Sequence, residues 1–138
     1  MLRYVWMIWL LASGVLLWAL ALGGLQPAHV FLGLGLLFVA YWLSPLYGGI
    51  SKKHAAVMRL PADERRFVIY WAPADIFSTR LRGGLGRHRK HAIWINVWQD
   101  KEAEAHARAL GGGVLPVVVL DGETIVNPDP RELIDRFR

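Results

Sequence analysis

The pattern of apolar and polar positions changes character near Ile50. Before it, apolar residues run on with hardly a break. After it they come in short bursts separated by charge, and their spacing alternates between the two-residue period of strands and the 3.6-residue period of helices. From Tyr4 to Leu22 no side chain other than tyrosine ionises, and at 1.5 Å per residue these 19 positions reach roughly 28 Å, close to the hydrocarbon thickness of a bilayer. That predicts a membrane-crossing helix at about 4–22. A second run, about 30–47, is interrupted only by Gly33, Gly35, Ser44 and Pro45, with the proline late enough to end or kink a span rather than prevent it. The connection from Gly23 to His29 is short and rich in helix breakers, so residues 1–50 are expected to form a two-helix antiparallel transmembrane hairpin.

Residues 51–64, SKKHAAVMRLPADE, read as a basic juxtamembrane linker whose Lys52 and Lys53 suit anionic lipid. Beyond it, Arg66 to Trp71 and Ala92 to Trp98 are β-branched and aromatic and predict strands. Between them Ile76, Phe77, Leu81 and Leu85 mark a helix, which Gly83-Gly84 should terminate. Lys101 to Leu110 predicts a second helix, closed by Gly111-Gly112-Gly113. A strand follows at Val114 to Leu120, then an Asp121-Gly122 turn, a strand at Thr124 to Val126, and a last helix with Asn127 as cap and Pro128 in its first turn. The predicted order over residues 65–138 is β-α-β-α-β-β-α, an α/β domain.

Charge orients the chain. Residues 1–50 hold one charged side chain, Arg3, and the remainder holds the other 15 of the 16 Lys+Arg and all 11 Asp+Glu. The loop between the apolar runs has no Lys or Arg, whereas Lys52, Lys53, Arg59, Arg65 and Arg66 follow the second, so both termini are expected in the cytoplasm of a bacterial cell, with two spans in its cytoplasmic membrane. Ala19-Leu20-Ala21 resembles a cleavage site, but the apolar stretch is longer than a signal-peptide core and only one cation precedes it. An uncleaved hairpin is the preferred reading. Ala12, Ser13, Gly14, Gly33 and Gly35 would let helices approach closely, either within the hairpin or against a partner membrane protein. No acid, base or His lies within either run, which argues against an ion path.

Composition closes off several chemistries. The chain is 54% hydrophobic with seven Trp and no Cys, so it supplies no disulfide, thiolate or Cys-ligated metal. His88 and His91 lie among cations with no further ligand in sequence, and no metal or cofactor is expected. Gly111-Gly112-Gly113 follows a helix and precedes a strand, the reverse of a phosphate-cradling loop. Arg80, Arg82, Arg87, Arg89 and Lys90 gather near the end of the first domain helix. They complement its dipole and form a candidate docking patch for lipid headgroups or an acidic protein face; nothing resembles a nucleic-acid recognition element.

The stretch YWAPADIFSTRL at 70–81, the Leu115-Pro116-Val117 strand and the Asp121-Gly122 hairpin together resemble the glutaredoxin branch of the thioredoxin fold, and the Asn127-Pro128 pair is similar to its actinobacterial, mycoredoxin-like members. The resemblance covers residues 65–138. It implies an active-site turn at Pro73 facing a cis Pro116, with Asp75 and Ser78 standing where the family carries two cysteines. A helix N-terminus stabilises a thiolate through free N–H groups and the macrodipole, and Asp75 would keep negative charge there without the nucleophile. Asp is equally a favoured N-cap, with Ser78 at the third helical position able to bond locally. The resemblance thus implies a redox-inactive domain and no enzymatic role. The function expected is that of a non-catalytic accessory or assembly subunit of a multi-subunit bacterial membrane complex, a respiratory one being the first guess. The alternative is an anchored binding module for a low-molecular-weight thiol or a partner's cysteine segment.

Overall fold

The computed structural model describes residues 4–24 and 26–136. It divides into two compact units, Met1–Gly48 and Gly49–Arg138. In the first, α1 (Val5–Gly23) and α2 (Pro27–Trp42) pack side by side. Pro27 starts α2 because its missing N–H is not needed in the first turn and its φ is already helical. Gln26 carbonyl accepts from the His29 and Val30 N–H groups.

The second helix is shorter than its apolar run. It ends at Trp42, where Ser44 Oγ donates to the Tyr41 carbonyl at 2.7 Å and accepts from Leu46 N–H at 3.2 Å, an arrangement that turns the chain ahead of Pro45. Its 16 residues reach roughly 24 Å. α1 is therefore the one described helix long and apolar enough to cross a membrane. Between the helices, a Cβ on Gly33 would come within 2.5 Å of Leu17 Cδ2, so the glycine is what admits that leucine. Ser13 is also buried, its Oγ donating to the Trp9 carbonyl, while Ala12, Gly14 and Gly35 stay exposed.

The second unit is a mixed α/β structure. Its elements are α3 (His54–Met58), β1 (Phe67–Trp71), α4 (Ile76–Leu85), a 3-10 helix (Gly86–His91), β2 (Ile93–Asn96), α5 (Lys101–Gly111), β3 (Val117–Leu120), β4 (Glu123–Val126) and α6 (Pro130–Asp135). The sheet order is β2-β1-β3-β4, with β1 and β2 parallel and the other neighbours antiparallel. All five residues of β1 are buried, as befits a strand with neighbours on both sides and helices on both faces. Val68 and Tyr70 share a core with Val57 of α3 and Ala103 and Ala107 of α5. By strand alternation Phe67, Ile69 and Trp71 face the other way, where α4 and α6 pack together with Leu81, Leu85 and Leu133 buried.

Several boundaries differ from the sequence reading for local reasons. α4 runs through Gly83-Gly84 and stops at Gly86, which takes φ +50°. Gly84 has a packing role, since a Cβ there would lie 2.5 Å from Pro130 Cβ and Cγ. The last helix begins later than the Asn127 cap predicted. Asn127 has φ +47° and donates its N–H to the Pro116 carbonyl, while Asp129 caps α6 by accepting from Arg131 N–H at 2.8 Å, with Pro130 as the first residue. The segment read as a linker holds α3, whose Val57 is fully buried. The Leu115–Pro116 peptide is cis.

Candidate functional site

The turn between β1 and α4 is built from both of its ends. β1 delivers the chain through Trp71, Ala72 and Pro73, all buried, into Ala74, a non-glycine residue at φ +59°. Asp75 follows as the N-cap of α4, and its carboxylate accepts the Ser78 backbone N–H at 2.7 Å. Thr79 adds its hydroxyl to the Asp75 carbonyl at 3.0 Å. Ser78 is fully buried, and its Oγ accepts from Ala72 N–H at 3.4 Å, tying the helix start back to the end of the strand. Both polar side chains at these positions are thus engaged in holding the turn.

Pro116 belongs to the same end of the sheet. Tyr70 pairs with Val117, so the antiparallel register carried one step further sets Pro116 opposite Trp71. Pro73, Asp75 and Ser78 thus follow the C-terminal end of β1 in the chain, and Pro116 immediately precedes the strand paired with that end. Trp71 is part of the surround: Arg82 lies over its ring at 4.8 Å and 5.8 Å from that of Trp94, and the two indoles meet edge to face at 6.3 Å. Trp94 Nε1 donates to the Arg89 carbonyl. A cleft of about 540 Å³, lined by Arg65, Arg66, Val119 and Asp121, sits at the other end of β1 and leaves the turn untouched.

The five cations of the candidate patch separate into two kinds. Arg82 is half-buried against the indoles, whereas Arg80, Arg87, Arg89 and Lys90 are exposed. Ion pairs occur elsewhere among the described residues, at Arg66–Asp121, Arg108–Glu104 and Arg136–Glu123. Arg66 also holds the Asp121 carboxyl below its usual range, mainly by a direct hydrogen bond.

A polar cluster on the other face of the sheet was invisible in sequence. His54 Nδ1 is 2.9 Å from Tyr70 Oη, and the His54 and His106 rings lie 4.5 Å apart, with His106 also 5.5 Å from the Tyr70 ring. Asp100, the N-cap of α5, accepts the His54 N–H at 2.7 Å. Burial and then the Asp100 charge push the Tyr70 phenol up to about 12, so it stays protonated and able to donate. Burial, then the neighbouring His54, holds His106 below the usual imidazole range. Burial alone would raise the Asp100 carboxyl, but hydrogen bonds from His54, Ala103 and Glu102 N–H and the Lys53 charge bring it below its usual value. Around this cluster the chain is strapped: Ser51 N–H donates to Gln99 Oε1, Lys53 Nζ to the Gln99 carbonyl, Gln99 Nε2 to the Gly49 carbonyl and Asn96 N–H to Ser51 Oγ. No local motif joins His54 to His106; only the packing of α3 on α5 brings them together. Among the described residues no group of three or more His, Cys, Asp or Glu is placed to hold a metal.

No family model, curated protein or solved structure matches this chain.

Proposed function

We propose that this chain is a non-catalytic accessory or assembly subunit of a multi-subunit bacterial membrane complex, anchored by its apolar helix pair as two spans and presenting a glutaredoxin-like domain as a docking body. The element order, the parallel β1–β2 pair beside antiparallel β3 and β4, and Pro116 at the end of the sheet support the thioredoxin-fold reading. The observation that carries the non-catalytic role is the hydrogen bond from Ser78 N–H to the Asp75 carboxylate. At the two positions where the resembled family carries thiols, one side chain caps a helix and the other is sealed beneath it. Ser78 is buried and Asp75 half-buried, which supports a structural role for both. A respiratory assembly is the complex in which we place it first.

The test is genetic and biochemical together. Deleting the chain should shift or abolish one membrane complex on a native gel, and a chain carrying Asp75→Asn with Ser78→Ala should restore it. Unchanged complexes in the deletion strain would reject the proposal.

A further inference from the structure

Residues 76–91 carry five Lys and Arg and no Asp or Glu, whereas Arg66, Arg108 and Arg136 elsewhere in the domain each pair with a carboxylate. The outward side of α4 places Ile76, Arg80 and Gly83 at i, i+4 and i+7, while Ser78, Leu81 and Leu85 point into the core. Ile76 is 78% exposed and its neighbour Phe77 is 46% exposed, so two adjacent large apolar side chains stand bare at the start of the helix. After Gly86 the 3-10 helix repeats every three residues, so Arg87 and Lys90 share a side. Among the described residues, none of these exposed cations has a carboxylate within ion-pair distance. Exposed cations following exposed apolar side chains along one segment are the combination that binds a charged lipid surface, the cations meeting headgroups and the apolar groups entering the boundary beneath them.

We infer that the α4 and 3-10 segment is a docking surface for anionic phospholipid, with Arg80, Arg87, Arg89 and Lys90 meeting the headgroups and Ile76 and Phe77 seated among them. The occupant follows from charge complementarity and from α1 in the same chain, which is long and apolar enough to keep a bilayer within reach at high effective concentration. Arg82 is excluded from this set because it is spent on Trp71 and Trp94. The inference rests on the membrane-anchored reading and is independent of any partner complex.

The absence of cysteine makes a direct test simple. A spin label on Gly83→Cys, where a side chain meets open space, reports on this face, and one on Ala105→Cys, exposed on α5, serves as the control. The full-length chain is placed in nanodiscs of phosphatidylcholine alone or with about a third phosphatidylglycerol, and collisions with a nickel-chelating lipid are measured. Several-fold more collisions at position 83 in the anionic discs are expected, reversed at about 0.5 M salt and absent at position 105. Equal collisions at position 83 in both discs would overturn the inference, as would an equal rise at both positions. Replacing Arg80, Arg87, Arg89 and Lys90 by Gln should abolish the rise in a chain whose circular dichroism is unchanged. A folded variant that keeps the rise would also overturn it; if the variant does not fold, the lipid and salt comparisons on the labelled parent chain decide. Purified chain in defined lipid contains no partner, so failure here leaves the complex-assembly test standing.

Discussion

The Asp75 carboxylate accepts the backbone N–H of Ser78 at 2.7 Å, and this contact makes the turn after β1 a helix cap. Cap and charge can be separated experimentally. Asp75→Ala should lower stability by about 1 kcal/mol, the usual value of an N-cap, whereas Asp75→Asn should retain most of it. Urea unfolding of the chain in detergent checks the pair. Equal losses would mean that charge, rather than the hydrogen bond, matters at this helix end.

One residue earlier, Ala74 holds φ +59°, a region that a Cβ disfavours by roughly 1–2 kcal/mol. Ala74→Gly should therefore raise the unfolding free energy, by up to about 1 kcal/mol after the extra flexibility of the unfolded chain is counted. Ala74→Val should lower it. The same denaturation experiment reads both.

Gly83 and Gly84 are neighbours with opposite requirements. A Cβ at Gly83 meets nothing within 4 Å, and Gly83→Ala should stabilise α4 by about 1 kcal/mol through helix propensity. At Gly84 the added atom would strike the Pro130 ring, which cannot swing aside, and Gly84→Ala should cost about 1–3 kcal/mol. Thermal unfolding of the two variants should move in opposite directions.

His106 gives the domain a pH dependence. His106 is held below its usual 6.5 by burial and by His54, so the unfolded chain binds its proton more readily than the folded one. Stability from this group is then complete above about pH 6.5 and falls as pH drops through that value toward the lower folded pKa. The carboxylates whose pKa values are lowered, Asp100, Asp121 and Glu123, lose their contributions only in a more acidic range. Unfolding measured from pH 7.5 to 5 should show the decline, and His106→Gln should flatten it. An unchanged slope in that variant would assign the dependence elsewhere.

Much of the second unit was legible because its strands are local statements: β-branched and aromatic runs at Phe67–Trp71 and Ile93–Asn96, each bounded by turn residues. The Asp75 cap was legible for the same reason, since donor and acceptor are three residues apart. What sequence missed depended on distant contacts. Gly84 looks like a terminator until Pro130 is seen against it. α3 looks like linker because its short apolar content is only meaningful once Val57 meets Ala103 and Ala107. Asn127-Pro128 and Asp129-Pro130 are both plausible helix starts, and the Asn127 N–H bond to Pro116 across the sheet decides between them. The apolar run at 30–47 overstated α2 because Ser44 and Pro45 turn the chain where hydropathy alone continues. The His54, Tyr70 and His106 cluster had no signal at all, its members lying on three separate elements.

Membership of a larger assembly is read from the mass of the native particle. The tagged full-length chain, extracted from its own membranes in mild detergent and analysed by native mass spectrometry, should appear in a particle well above its own 15.6 kDa, with other membrane subunits in fixed ratio. A particle containing this chain alone, at 15.6 kDa or a simple multiple of it, would contradict the account.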